Sequence, residues 1–344
     1  MKIALVNTMT PYVQGGAEIL VDDLRIQLKE NGHMAHLYRI PFPDNYEAAL
    51  MNTIAATRML RLDGYDRVIA FKFPAYCVEH PNKVMWMFHQ FRQVYELDGT
   101  EYGLPQSGVA KRIKEVVHAV DNADIPKSRH VYTNAQEVSN RLMKYNSIPS
   151  EVLPPPLKNA EHYYCDSTGD YIFYPSRINS LKRQHLMVQA MKHTKSGVKL
   201  VIAGQCPEAG YMREMRAFVA ENGIEDKVTI MDEWISDERK VELLSKSLAA
   251  AYIPYKEDSC GFVTMEAQYA SKPVITCIDS GGTVEFVRQG VDGCFVAPDP
   301  KDLAAAIDRL YEDKQMAQRM GELGRQSIEE KNITWENTIR RLLA

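Results

Sequence analysis

Short apolar runs alternate with longer stretches of helical period along most of the chain. Ile3–Val6, Ala35–Ile40, Arg67–Phe71, Val84–Phe88 and Val131–Thr133 are brief and bounded by polar or turn residues, as strands are. Between them, apolar positions recur every three or four residues over Ala17–Asn31, around Tyr46–Arg61 and around Val109–Val120, the period of helices with one buried face. Such alternation predicts βαβ units and a parallel sheet. The tract Leu153-Pro154-Pro155-Pro156-Leu157 and the polar and turn residues that follow to Asp170 cannot continue a helix or a central strand, and predict a linker. A second series then begins. It runs through strands Tyr171–Tyr174, Lys199–Ala203, Val228–Met231, Ala249–Tyr255 and Val274–Cys277, with helices Arg183–His193, Tyr211–Asn222, Asp237–Ser247 and Val263–Ser271 among them. The final stretch, Ala304 to Ala344, is helical in pattern almost throughout. The expected division is a Rossmann-like domain over residues 1–156, a second over 157–333, and a closing helix over 334–344.

Composition narrows the function without naming it. At 344 residues, 45% hydrophobic and 25% charged, the chain is long enough for two domains, each with its own core. A net charge of −4 offers no basic field, so nucleic acid is not an expected partner. Cys77, Cys165, Cys206, Cys260, Cys277 and Cys294 are scattered, with no C-x-x-C pair and no histidine at ligand spacing, so no zinc site or disulfide framework is expected. The first strand pattern, Lys2–Val6, is broken by Asn7 and Thr8 and is too short for a secretory signal; no apolar run approaches membrane-spanning length. A cytoplasmic location is expected. Helix Val109–Val120 sets Lys111, Arg112 and Lys114 beside Val109, Ile113, Val116 and Val117. Such a face suits weak peripheral contact with the inner membrane surface, or a solvated helix lying on its own core.

The richest chemistry lies between Pro254 and Cys277, where Asp258 precedes Glu266 by eight residues with Gly261-Phe262-Val263 between them. A buried strand followed by a helix leaves unpaired N–H groups at the strand's carboxyl end, and such a turn suits a phosphate. A carboxylate beside an anion site is repulsive unless it has another task, such as accepting hydrogen bonds from the vicinal hydroxyls of a ribose. The parts together describe a pocket for a nucleoside diphosphate bearing a sugar. In Phe173–Gln184, cations Arg177, Lys182 and Arg183 crowd the end of a strand where a helix is about to begin. Positive charge there opposes the helix dipole and calls for an anionic partner. The loop Thr10–Glu18 carries Gly15-Gly16 at a helix start but lacks the G-x-G-x-x-G spacing of a dinucleotide site. His89 ends the apolar strand Val84–Phe88 and so lies at the carboxyl edge of the first sheet, where open α/β sheets bind ligands.

Asp258-x-x-Gly261-Phe262-x-x-x-Glu266-Ala267, followed by Lys272-Pro273-Val274-Ile275, resembles the E-x7-E signature of family 4 glycosyltransferases. The resemblance runs from Gly15 to Glu285. It departs from the family at Asp258, where Glu is usual, so this carboxylate's reach is one methylene shorter. What it implies is a GT-B fold of two Rossmann-like domains with parallel sheets and a cleft between them, and a retaining, metal-independent enzyme. Asp258 would contact the donor sugar's hydroxyls. The backbone at Gly261, Phe262 and Val263 would hold the diphosphate, and Glu266 the ribose. Arg177 and Lys182 match the family's cation pair that neutralises the leaving diphosphate. Gly15 and Gly16 match its GGAE element, which lets substrates approach the backbone closely. His89 matches a first-domain histidine that faces the donor sugar, and Trp234 and Ile235 fall where the base is contacted. Gly281-Gly282-x-x-Glu285 also fits the pattern, and the family's last helix crosses back onto the first domain. No cofactor is implied beyond a UDP- or GDP-linked sugar, and the acceptor would be a glycan or lipid-linked hydroxyl in polysaccharide, glycolipid or glycoconjugate synthesis. No Asp-x-Asp triplet occurs in the chain. A nucleotide-sugar 2-epimerase would share the diphosphate pocket without an acceptor, and a non-catalytic two-domain sugar-binding protein would not need the cation pair.

Overall fold

A computed structural model describes residues 1–10, 15–42, 47–259 and 261–344. Residues 11–14 of the glycine loop, Tyr46 at the start of the second expected helix, and Cys260 lie outside the described residues. The chain divides into two compact units, Met1–Pro156 with Ile333–Ala344, and Leu157–Asn332.

The first unit runs β1 (Lys2–Met9), α1 (Gly16–Glu30), β2 (Met34–Pro41), α2 (Glu47–Met59), β3 (Arg67–Ala70), β4 (Lys83–Met87), α3 (Gly108–Asp124), β5 (His130–Thr133), α4 (Gln136–Asn146) and β6 (Glu151–Val152). Its sheet has the order β2-β1-β3-β4-β5-β6, with every pairing parallel. Central strands read as near-continuous apolar runs because helices cover both faces; Ile3 to Val6 and Val84 to Met87 are fully buried. Helix α4 has a polar sequence that buries only Val138, Arg141 and Leu142, a stripe too thin to stand out by period.

The second unit runs β7 (Tyr171–Pro175), α5 (Gln184–Met191), β8 (Lys199–Ala203), α6 (Ala209–Glu221), β9 (Val228–Met231), α7 (Asp237–Ser245), β10 (Ala249–Ala251), α8 (Phe262–Tyr269), β11 (Val274–Cys277), β12 (Gly293–Val296), α9 (Pro300–Glu312) and α10 (Lys314–Glu330). Its sheet, β12-β11-β10-β7-β8-β9, is likewise parallel throughout. Strand β10 is shorter than the apolar run Ala249–Tyr255 predicts. Beyond Tyr252 the backbone turns away from the ladder, and the carbonyls of Ile253 and Pro254 accept from the Arg183 guanidinium at 2.8 and 3.1 Å. Ile253 and Pro254 are apolar because they are buried, not because they pair.

The closing helical stretch consists of three helices. Asp299 caps α9, Asp313 caps α10, and Thr334 caps α11 (Trp335–Leu343), each side chain accepting from a first-turn amide. Helix α11 belongs to the first unit. There Arg67 donates to the carbonyls of Leu342, Leu343 and Ala344 at 3.0–3.2 Å, placing a cation on the negative end of the helix dipole. In α3 the apolar positions Ile113, Val117 and Val120 are spent on the core, Lys114 pairs with Asp98, and Val109 is exposed. No helix among the described residues is long and apolar enough to cross a membrane.

Candidate functional site

In the second sheet the chain leaves β7 toward β8 and β9 on one side, while β10, β11 and β12 build the other. The order reverses between β7 and β10, and open parallel sheets bind ligands outside the carboxyl ends of the strands at such a point. Residues 176–183 follow β7 and residues 252–261 follow β10, so the cation cluster and the Asp258–Glu266 motif meet at this crevice.

Three side chains organise it. Lys182 donates to the Tyr252 hydroxyl at 2.6 Å and to the Glu257 carboxylate, and its ammonium lies 4.9 Å from the centre of the Tyr252 ring. The Tyr252 hydroxyl also donates to Glu257, at 3.0 Å. The Tyr252 ring also lies against Gly261, where an added Cβ would stand 2.1 Å from the ring's Cε1. Gly261 has φ +70° and, having no side chain, offers no side-chain cap to the first amides of α8. Tyr252 therefore spaces the lysine from the helix N-terminus. The loop before it is pinned: Tyr255 N–H donates to Leu181 O at 2.8 Å, Lys256 N–H to Asp279 O at 2.9 Å, and Gly282 N–H to Glu257 O at 3.1 Å. A Cβ on Gly281 would meet Glu257 O at 2.2 Å, and one on Gly282 would meet Ser259 at 2.8 Å. The paired glycines of the Gly281-Gly282-x-x-Glu285 element thus make room for the loop that carries Asp258, which is itself buried.

The cations differ in what holds them. Arg183 is buried and fixed by a bidentate pair with Asp279 at 2.7 and 2.8 Å in addition to the two carbonyls, so its charge belongs to the scaffold. Arg177 is exposed, and its guanidinium has no hydrogen bond or ion pair among the described residues. Only its backbone is anchored, its carbonyl accepting from Gln184 at 3.0 Å.

Glu266 is buried on α8 and pairs with Lys240 of α7 at 2.6 Å, while the Tyr163 hydroxyl lies close enough to the same carboxylate to feel its charge. Burial, then this carboxylate, pushes the Tyr163 phenol well above its ordinary range. Lys240 lies in the first turns of a helix whose preceding loop carries Trp234, 64% exposed, and Ile235, which packs on the core beneath. Lys272, also of the motif region, is buried and donates to Ser167 O and Ser247 O at 2.5 and 2.9 Å, a structural tie.

In the first unit the strand order reverses between β1 and β3. Gly15 precedes α1, and Gly16 is the helix's first residue. The Gly15 amide donates to Glu18 at 3.1 Å, and the other oxygen of Glu18 accepts from Lys72, just past β3, at 2.6 Å. His89 follows β4. Its Nδ1 lies 2.7 Å from the carbonyl oxygen of Gln90, and a carbonyl only accepts, so the proton sits on Nδ1 and Nε2 is left with its lone pair. Burial first, and the Lys72 charge second, bring this imidazole down to about 4. Gln90 donates to Asn146 at 2.7 Å and lies beside the fully buried Asp121, which also accepts from Tyr95 at 2.7 Å and from Tyr76.

Tyr252, Glu257, Lys240 and Lys72 were not marked by sequence pattern. Tyr252 falls inside the apolar run Ala249–Tyr255, and no local pattern singles out Glu257, Lys240 or Lys72; only the partner each finds across the fold sets them apart.

Residues 162–327 match the family of glycosyl transferases group 1. Over 139 residues the chain is 30% identical to the alpha-1,3/1,6-mannosyltransferase ALG2 of Homo sapiens, a match that covers 39% of this chain and 33% of that protein. The chain spans about a third of the length of the first curated relatives it matches. Its fold is shared with sucrose-phosphate synthase from Thermosynechococcus elongatus, with a TM-score of 0.79 at 19% identity over 99% of this chain and 97% of that one. It is shared also with Anabaena HepE in complex with UDP and glucose, with a TM-score of 0.75 at 17% identity over 100% and 98%. The fold class is that of GT-B glycosyltransferases, α/β with two parallel Rossmann-like sheets.

Proposed function

We propose that this protein is a retaining, metal-independent glycosyltransferase of family 4, moving a sugar from a UDP- or GDP-linked donor to a hydroxyl of a glycan or lipid-linked acceptor. The observation that carries the reading is the meeting, at the second sheet's β7/β10 switch point, of Lys182 with the glycine-capped start of α8, within a segment that matches group 1 glycosyltransferases. The first amides of α8 and the charges of Lys182 and Arg177 stabilise a diphosphate, the more so as negative charge grows on the leaving oxygen. Glu266, oriented by Lys240, accepts from the ribose hydroxyls, and Asp258 from the sugar. Trp234 and Ile235 offer an apolar surface to the base. The acceptor hydroxyl attacks the anomeric carbon on the face from which the nucleoside diphosphate departs, its proton passing to the leaving phosphate oxygen. His89, neutral with a free Nε2 lone pair, supplies a hydrogen-bond acceptor at the carboxyl edge of the first sheet.

The test is incubation with a panel of UDP- and GDP-sugars and candidate acceptors, following nucleoside diphosphate release and glycoside formation together. A new α- or β-glycoside with the donor's anomeric configuration, formed in EDTA, supports the reading. An isomerised donor or an unchanged ligand overturns it.

A further inference from the structure

Lys182 is already occupied. Its ammonium, which on the reading above holds the donor's diphosphate, lies against the Glu257 carboxylate and the Tyr252 hydroxyl. The pair is sheltered, with side chains 19% and 14% exposed. It differs in kind from the neighbouring pair of Arg183 with Asp279. Arg183 also carries two backbone carbonyls, so breaking that pair would strand buried groups. The Lys182 ammonium donates to no backbone carbonyl among the described residues, and its two partners are side-chain tips that already hydrogen-bond each other at 3.0 Å. An arriving anion exchanges one negatively charged partner for another.

The surroundings confine that exchange to one side chain. Glu257 has its backbone fixed by the Gly282 amide and by the close approach of Gly281, so its carboxylate can turn away while the loop stays. Tyr252 is held by the contact of its ring with Gly261, so its hydroxyl keeps its place for the lysine whichever anion is present. Once a diphosphate sits at the start of α8, a carboxylate left on Lys182 would face it as a like charge.

We propose that Glu257 is an internal anion that takes the diphosphate's place on Lys182 when the site is empty, and thereby weakens retention of the nucleoside diphosphate product. The inference rests on the assignment of Lys182 to the diphosphate. Glu257 is a positioning residue here, acting through Lys182 and not on the reacting atoms.

The experiment is calorimetric titration of UDP, GDP and inorganic pyrophosphate into wild type, Glu257→Gln and Glu257→Ala, with melting curves to verify folding. Both substitutions should tighten binding of pyrophosphate, and of whichever nucleotide the wild type binds, by about fivefold to tenfold, the size expected when a partly exposed competing ion pair is removed. In a Lys182→Ala background the same substitutions should change affinity by less than about twofold, because the competition has lost its object. A carboxylate that merely steadies the loop would, when removed, weaken binding. Equal or weaker affinity in both variants, or a gain that persists without Lys182, overturns the proposal while leaving the donor reading standing. If neither nucleotide nor pyrophosphate binds any of these proteins, the diphosphate assignment itself falls, and the inference with it.

Discussion

Tyr252 and Gly261 fit together with no space for a side chain: a Cβ on Gly261 would stand 2.1 Å from the tyrosine ring, and the glycine's φ of +70° is one that other residues adopt at a cost. The contact joins the lysine-bearing edge of the crevice to the start of α8. Gly261→Ala should therefore destabilise the protein by about 2 kcal/mol, from backbone strain and overpacking together, and should also displace Lys182 through the tyrosine. Urea unfolding and UDP or GDP titration check both effects. A stable variant with unchanged nucleotide affinity would show that the contact is incidental.

Arg177 and Lys182 should separate in a stability assay though not in an activity assay. Arg177→Ala removes an exposed guanidinium with no partner among the described residues, so folding stability should change by no more than about 0.5 kcal/mol. Lys182→Ala removes the sheltered ion pair with Glu257 and should cost about 1 kcal/mol. Both should slow transfer by about 100-fold or more, as expected for groups that stabilise charge growing on a leaving diphosphate. Near wild-type turnover in either variant would remove that residue from the diphosphate site.

Much of the fold was written in the hydrophobic period. β8, β9 and β11 have the bounds their apolar runs predict, because each run is short and ends at turn residues; β11 is buried throughout, while β9, at the sheet edge, buries only Val228. The period misled where burial and pairing part company, as at Tyr252–Tyr255, and fell silent where a helix buries few apolar residues, as in α4. The candidate site was legible where chemistry depends on spacing along one segment, as for Asp258, Gly261 and Glu266. It was not legible where a residue's meaning comes from a partner far along the chain. Lys240 pairs with Glu266 across 26 positions, Lys72 with Glu18 across 54, and Glu257 with Lys182 across 75, and nothing local marks any of them.

Glu266 and Asp258 should divide the donor between them. Glu266→Gln removes a ribose partner and leaves Lys240 without its near counter-ion, so affinity for the donor and for the free nucleoside diphosphate should fall together, by about tenfold. Asp258→Asn should lower transfer while leaving free nucleotide affinity within about twofold, since its proposed partner is the sugar, present only in the donor. Calorimetry with the bare nucleotide beside steady-state rates distinguishes them. Equal damage from both substitutions would end the division of roles.

Two groups of the first unit, the half-buried His89 and the fully buried Asp121, should pull stability in opposite directions over one pH interval. His89 is brought from 6.5 to about 4 by burial and by Lys72. Between those values the unfolded chain binds a proton that the folded chain refuses, so this contribution is whole above pH 6.5 and is lost as pH falls toward 4. With part of the ring still accessible, about 2 kcal/mol is at stake. Asp121 is raised from 3.8 to about 6 by burial, against hydrogen bonds from Tyr76, Tyr95 and Gln90 that favour its charged form. Between those values the folded chain keeps a proton that the unfolded chain has released, so its contribution is whole below pH 3.8 and is lost as pH rises through 6. In the wild type the two trends offset each other between about pH 4 and 6. His89→Asn should therefore give a protein whose urea midpoint falls, relative to wild type, as pH rises from 4 to 6, and Asp121→Asn one whose midpoint rises. Curves that stay parallel to wild type in both variants would show that neither group titrates as its burial dictates.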